Sequence, residues 1–98
     1  MLRDLFEWDE KKEVENTLKH GIDFKSAAEV FFDERRIIVK DEFHSESESR
    51  LFCIGATTMG ICTVRFVCRD GKIRFFGAGV WRKGKKIYEK ENKEKKEQ

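Results

Sequence analysis

The chain has 98 residues, of which 39% are hydrophobic and 41% charged, with a net charge of +2 and no proline. That length suits one domain around a small core. No apolar run approaches the roughly 20 residues of a membrane span, and the charged start "MLRDLFEWDEKK" lacks the apolar stretch of a secretory signal. A nearly balanced net charge neither favours nor excludes nucleic acid; the placement of the charges decides.

In chain order, Leu5–Trp8 reads as a short extended piece, and Asp9 as the N-cap of a charged helix over residues 10–20. Val14 and Leu18, four apart, give that helix a narrow apolar stripe, and Gly21 stands where a left-handed C-cap belongs. Asp23 caps a second helix, on which Phe24, Ala27, Ala28 and Phe31 follow the spacing of one buried face. Strand-like segments follow at 35–40, 50–57 and 61–68, with the polar loop "DEFHSESES" before the second. Asp70-Gly71 is the strongest hairpin signal in the chain. From Lys83 the chain favours a helix that requires Ile87 and Tyr88 to dock, with the charged residues from about 90 onward expected to fray. The expected fold is α+β, a single domain with two N-terminal helices packed on a three- or four-stranded antiparallel sheet and a C-terminal helix.

A two-residue turn at Asp70-Gly71 sets the register, so that Arg69 faces Lys72, Val67 faces Arg74, Phe66 faces Phe75 and Arg65 faces Phe76. One face, with Val64, Phe66, Cys68, Ile73 and Phe75, is apolar and must be covered by helices. The other gathers Arg65, Arg69, Lys72 and Arg74 with Val67 and Phe76. Phosphates meet arginine and a splayed base stacks on an aromatic ring, so this face suits RNA. The same cations also suit the solvated face of an antiparallel sheet, and the pattern alone does not separate the two readings.

The three cysteines, Cys53, Cys62 and Cys68, form no C-x-x-C pair and lie among apolar strand residues. They are expected to be buried, reduced thiols of a cytoplasmic protein. No spacing with His20 or His44 resembles a zinc site, and nothing calls for a metal or other cofactor.

Taken in order, "FEWD" (6–9), Lys12, Asn16, "KHG" (19–21), "AAEVFFD" (27–33), Asp41, "HSESESR" (44–50), "IG" (54–55), Gly60 and "RDGKIRFF" (69–76) resemble the BrnT family of toxin–antitoxin modules. The resemblance implies a RelE-like fold and an endoribonuclease toxin that arrests growth. It also implies a BrnA-like ribbon-helix-helix antitoxin that covers the cationic face, with promoter DNA touched only through that partner. One departure stands out. Such toxins usually end the last strand Ser-Ala-Arg, and here Gly77, Ala78 and Gly79 occupy those positions. If the arginine contributes to catalysis, this chain is impaired and serves as an antitoxin partner or co-repressor. Strict alternation puts position 79 on the apolar side of the sheet.

Metal-independent RNA cleavage needs a base, an acid and fixed cations for charge built up on phosphorus. Arg50, Arg69 and Arg74 are the candidate cations. Glu48, two residues before Arg50, reads either as a base beside its phosphate-binding arginine or as half of a loop-end ion pair. His44 reads as a loop acid or a plain polar loop residue, and His20 as an acid or a group capping helix carbonyls. The catalytic set is Glu48, Arg50, Arg74 and His44; the RNA-binding set is Arg65, Arg69, Lys72, Phe76, Lys19 and His20.

Overall fold

A computed structural model describes residues 2–43 and 48–96. A 3-10 turn at Leu2–Leu5 leads into β1 (Phe6–Glu7), α1 (Glu10–His20), α2 (Phe24–Ala27) and a second 3-10 segment, Ala28–Phe32. Then come β2 (Ile37–Lys40), β3 (Leu51–Thr57), β4 (Gly60–Arg69), β5 (Lys72–Gly79) and α3 (Arg82–Lys96). The strands form one sheet in the order β1-β5-β4-β3-β2.

The sheet has five strands, not three or four, and it is mixed. Phe6 and Glu7 add to the outer edge of β5 in parallel, against Ile73 and Arg74, while the other pairings are antiparallel. A two-residue strand carries no alternation, so the sequence marked this piece as extended without showing that it joins the sheet.

The first helix starts and stops where its caps dictate. Asp9 accepts from the Lys11 backbone N–H, and Gly21, at φ 72°, donates to the Thr17 carbonyl. The expected apolar stripe is not its buried face: Val14 and Leu18 are exposed, and the buried residue is Asn16. The reason lies in what the helix covers. It lies against β5 beyond the end of β1, where strand-edge backbone groups are exposed. Asn16 Nδ2 donates to the carbonyls of Ala78 (2.9 Å) and Ile22 (3.0 Å), and Oδ1 accepts from Ala78 N (3.1 Å). An amide thus serves as the missing neighbour strand at that residue.

Phe24, Ala27 and Ala28 are buried as the periodicity predicts, but the helix tightens to 3-10 at Ala28. This segment lies directly on β3, where a Cβ on Gly55 would sit 2.8 Å from the Val30 carbonyl oxygen. The core between the N-terminal helices and the sheet contains Phe24, Val30, Cys53, Val64, Phe66, Phe75 and Ala78, with Phe6, Trp8 and Phe31 packed against it.

The C-terminal helix lies on the opposite face. Gly84 abuts Thr63 and Ile54, which alternate away from the core. Tyr88 Oη donates to Asp33 Oδ2 (2.6 Å), and Asn92 donates to the Arg35 carbonyl (3.2 Å). The sheet is therefore covered on both faces, and α3 is continuous to Lys96.

Candidate functional site

The hairpin follows the predicted register from Arg69–Lys72 to Phe66–Phe75 and then departs from it. A bulge pairs Arg65 with Gly77, Val64 with Ala78 and Thr63 with Gly79, leaving Phe76 as the extra residue. Arg65 therefore does not pair with Phe76. One inserted residue inverts the faces beyond it: Ala78 turns into the core, and Gly77 and Gly79 turn to the side that carries Arg65. Position 79 is thus not on the apolar side.

Both glycines make room for a neighbour. A Cβ on Gly77 would lie 3.3 Å from Arg65 Nη2, so the guanidinium rests on the bare backbone there. A Cβ on Gly79 would lie 2.5 Å from Trp81 Cζ2 and closer still to Cε2. The indole of Trp81 occupies the space that a side chain at 79 would take.

These groups form one side of an open cleft of about 450 Å³, lined by Lys12, Glu15, Asn16, Lys19, His20, Arg65, Phe76, Gly77 and Trp81. A volume of this size lies within the range of about 300–1,000 Å³ typical of small-molecule sites. The helix contributes positions 12, 15, 16, 19 and 20, which fall on one face at helical spacing. Lys12 Nζ stands 5.4 Å from the centroid of the Phe76 ring, and Arg50 Cζ stands 4.8 Å from it. His20 meets Trp81 edge-to-face, with ring centroids 5.1 Å apart. The lining carries three cations, Lys12, Lys19 and Arg65, against one carboxylate, Glu15.

Four residues of the predicted RNA-binding set, Arg65, Phe76, Lys19 and His20, come together in this cleft. Arg50 adjoins it through Phe76 and shares with Arg65 a smaller recess beside Asp41. Glu48, Arg69, Lys72 and Arg74 are not part of its lining. Glu48 is paired with Arg69, whose guanidinium holds the carboxyl below its usual range. Arg74 Nη1 lies 3.5 Å from Glu7 Oε2, a contact made possible by the parallel β1–β5 register. His44 lies outside the described residues. Sequence reasoning missed Glu15 and Trp81 as site residues, and it noted Lys12 and Asn16 only as points of resemblance. The spacing 12, 16, 19, 20 was the signal available for the helix; nothing in the sequence showed that Trp81 folds back over Gly79.

The cysteines separate into two kinds. Burial pushes Cys53 up to about 12 and Cys62 up to about 11. Cys68, expected to be buried, is exposed near the C-terminal end of β4, where it borders a recess with Leu5, Phe32 and Ile73.

Residues 8–84 match the family model for BrnT, the ribonuclease toxin of a type II toxin–antitoxin system. The chain belongs to the BrnT family. A search of curated proteins found no match to it. Membership in this family implies an antitoxin partner and an RNA target. Among the described residues no helix is long and apolar enough to cross a membrane.

Proposed function

We propose that this BrnT chain is an endoribonuclease whose chemistry takes place in the cleft between α1 and the sheet. The observation that carries this reading is the convergence of His20, Lys19 and Lys12 from one helix face on Arg65 and Phe76 of the bulged hairpin. In this reading Arg65, Lys12 and Lys19 neutralise the scissile phosphate as charge builds on it. The Glu15 carboxylate accepts the proton of the ribose 2′-hydroxyl, whose oxygen attacks phosphorus. His20 donates a proton to the departing 5′ oxygen, leaving a 2′,3′-cyclic phosphate. These side chains supply a base, an acid and cations, so the scheme is metal-independent. Lys72, together with Arg69 and Arg74 once RNA phosphates replace their partners Glu48 and Glu7, extends on the face that carries Arg65 the track along which the rest of the RNA strand lies.

The partner is, in this reading, a BrnA-like ribbon-helix-helix antitoxin that covers the cleft and track in the cytoplasm. The complex reaches promoter DNA only through the antitoxin. In this reading the helices and mixed sheet form a RelE-like toxin fold.

A second reading has one observation in its favour. Position 79 has no side chain, and Trp81 fills the room for one. A toxin that depended on arginine there would be catalytically impaired and would persist as an antitoxin partner or co-repressor. Incubating the purified chain with single-stranded RNA separates the two. Fragments ending in cyclic phosphate, lost in His20→Ala and Arg65→Ala, support the enzyme; intact RNA with undiminished antitoxin binding supports the impaired fold.

A further inference from the structure

We infer that Trp81 is the platform on which this protein stacks a base of its RNA, and that Gly79 is the residue that makes its position available. The inference rests on the reading of the cleft as the RNA site and adds to it a residue that touches the base.

Three observations lead to it. First, the π-system of Phe76, the aromatic residue predicted from sequence, is already engaged by Lys12 and Arg50. Trp81 is the other large aromatic ring that borders the cleft. Second, the indole is held in place. It lies over the bare backbone of Gly79 and meets the His20 ring edge-to-face. It also lines a second, apolar groove with Ile54, Thr63, Gly84 and Ile87 beneath α3. A ring fixed in this way loses little freedom when a base lands on it. Third, Trp81 and Arg65 sit on glycines two residues apart on one strand face, about 6–7 Å at the usual strand rise. One nucleotide can span that separation, with its phosphate on Arg65 and its base on Trp81.

Stacking on a ring is tolerant of base identity, because every base has a π-face. Trp81 therefore contributes affinity for single-stranded RNA and little discrimination among bases. It also contributes no charge, which distinguishes it from the cations around it.

The test measures binding of the full-length chain to a short single-stranded oligoribonucleotide with 2′-O-methyl sugars, which cannot be cleaved, over a range of salt. Trp81→Leu is expected to weaken binding about tenfold or more, with an unchanged slope of log K against log salt. Trp81→Phe should stay within about threefold of wild type, since it keeps a ring. Arg65→Ala should weaken binding and reduce the salt slope by about 0.7. Wild-type affinity in Trp81→Leu, with weakened binding in Arg65→Ala, would overturn the inference and leave the site reading intact. An RNA that fails to bind the wild-type chain would overturn both. Should Trp81→Leu not fold, tryptophan emission of the wild-type chain decides. Trp8 packs on Phe24 and Phe75 away from the cleft, so RNA is expected to quench the Trp81 component. Saturating RNA that leaves emission unchanged contradicts the role.

Discussion

A Cβ placed on Gly79 would lie 2.5 Å from Cζ2 of Trp81, so the two positions cannot both carry ordinary side chains in this arrangement. The missing side chain at the end of β5 and the tryptophan two residues later are parts of one packing solution. Introducing Gly79→Arg alone is therefore expected to cost about 1–3 kcal/mol by overpacking. Adding Trp81→Ala to the same chain should recover much of that loss. Thermal melts of the two single variants and the double variant give the coupling; simple additivity would show that the residues do not compete for the space.

Asn16 is buried and makes three hydrogen bonds, two of them to the edge of β5. Asn16→Ala leaves an N–H and two carbonyls without that partner and should cost about 2–4 kcal/mol. Asn16→Asp can still accept from Ala78 N but cannot donate, and it brings a charge toward two carbonyls, so it should be no better tolerated. Denaturant midpoints check both.

Asp33 joins three elements through hydrogen bonds from Arg35 N, Ala56 N and the Tyr88 hydroxyl. Burial raises its pKa, but the hydrogen bonds from Tyr88, Ala56 and Arg35 outweigh that, and it ends below the ordinary value. A lowered folded-state pKa stabilises above the unfolded value, and that stability is lost as pH falls through the folded value. Stability should thus decline on acidification below about pH 4, and Asp33→Asn should flatten that limb. Burial and the same hydrogen bond push Tyr88 up to about 12 from 10.0. Its contribution is complete below pH 10.0 and is lost as pH rises toward 12. Tyr88→Phe should remove this alkaline limb, as measured by melts across pH.

Cys68 is exposed, whereas Cys53 and Cys62 are buried with raised pKa values. In the native chain, Cys68 should react with a thiol reagent at neutral pH well before the other two, which should react on unfolding. Peptide mapping after brief labelling assigns the site, and equal labelling of all three would contradict the packing of the sheet.

Much of the fold could be read where local chemistry sets it. Asp9 and Gly21 bound α1, Asp23 starts α2, and Asp70-Gly71 sets the hairpin register as far as Phe66–Phe75. What escaped depends on contacts distant in sequence. Phe6–Glu7 is too short to show a period, and nothing near Ala28 announces that Gly55 will bring β3 against it. The bulge at Phe76 has no signature in a run of strand-forming residues, yet it decides which side of the sheet position 79 faces. The candidate site was legible in part for the same reason. The cations and His20 stand out by type, but the cleft exists because Asn16 fixes α1 to the edge of β5, a contact between positions 16 and 78.

The most direct test of the account is the cleavage rate of single-stranded RNA by the purified chain, compared with His20→Ala and Glu48→Ala. With chemistry in the cleft between α1 and the sheet, His20→Ala should reduce the rate by about 10²-fold or more, as expected for loss of a proton-transfer group. Glu48→Ala, which removes the partner of Arg69 outside the cleft lining, should then reduce it far less. Cleavage that survives His20→Ala and disappears with Glu48→Ala would place the chemistry at the Glu48–Arg69 pair and contradict the account.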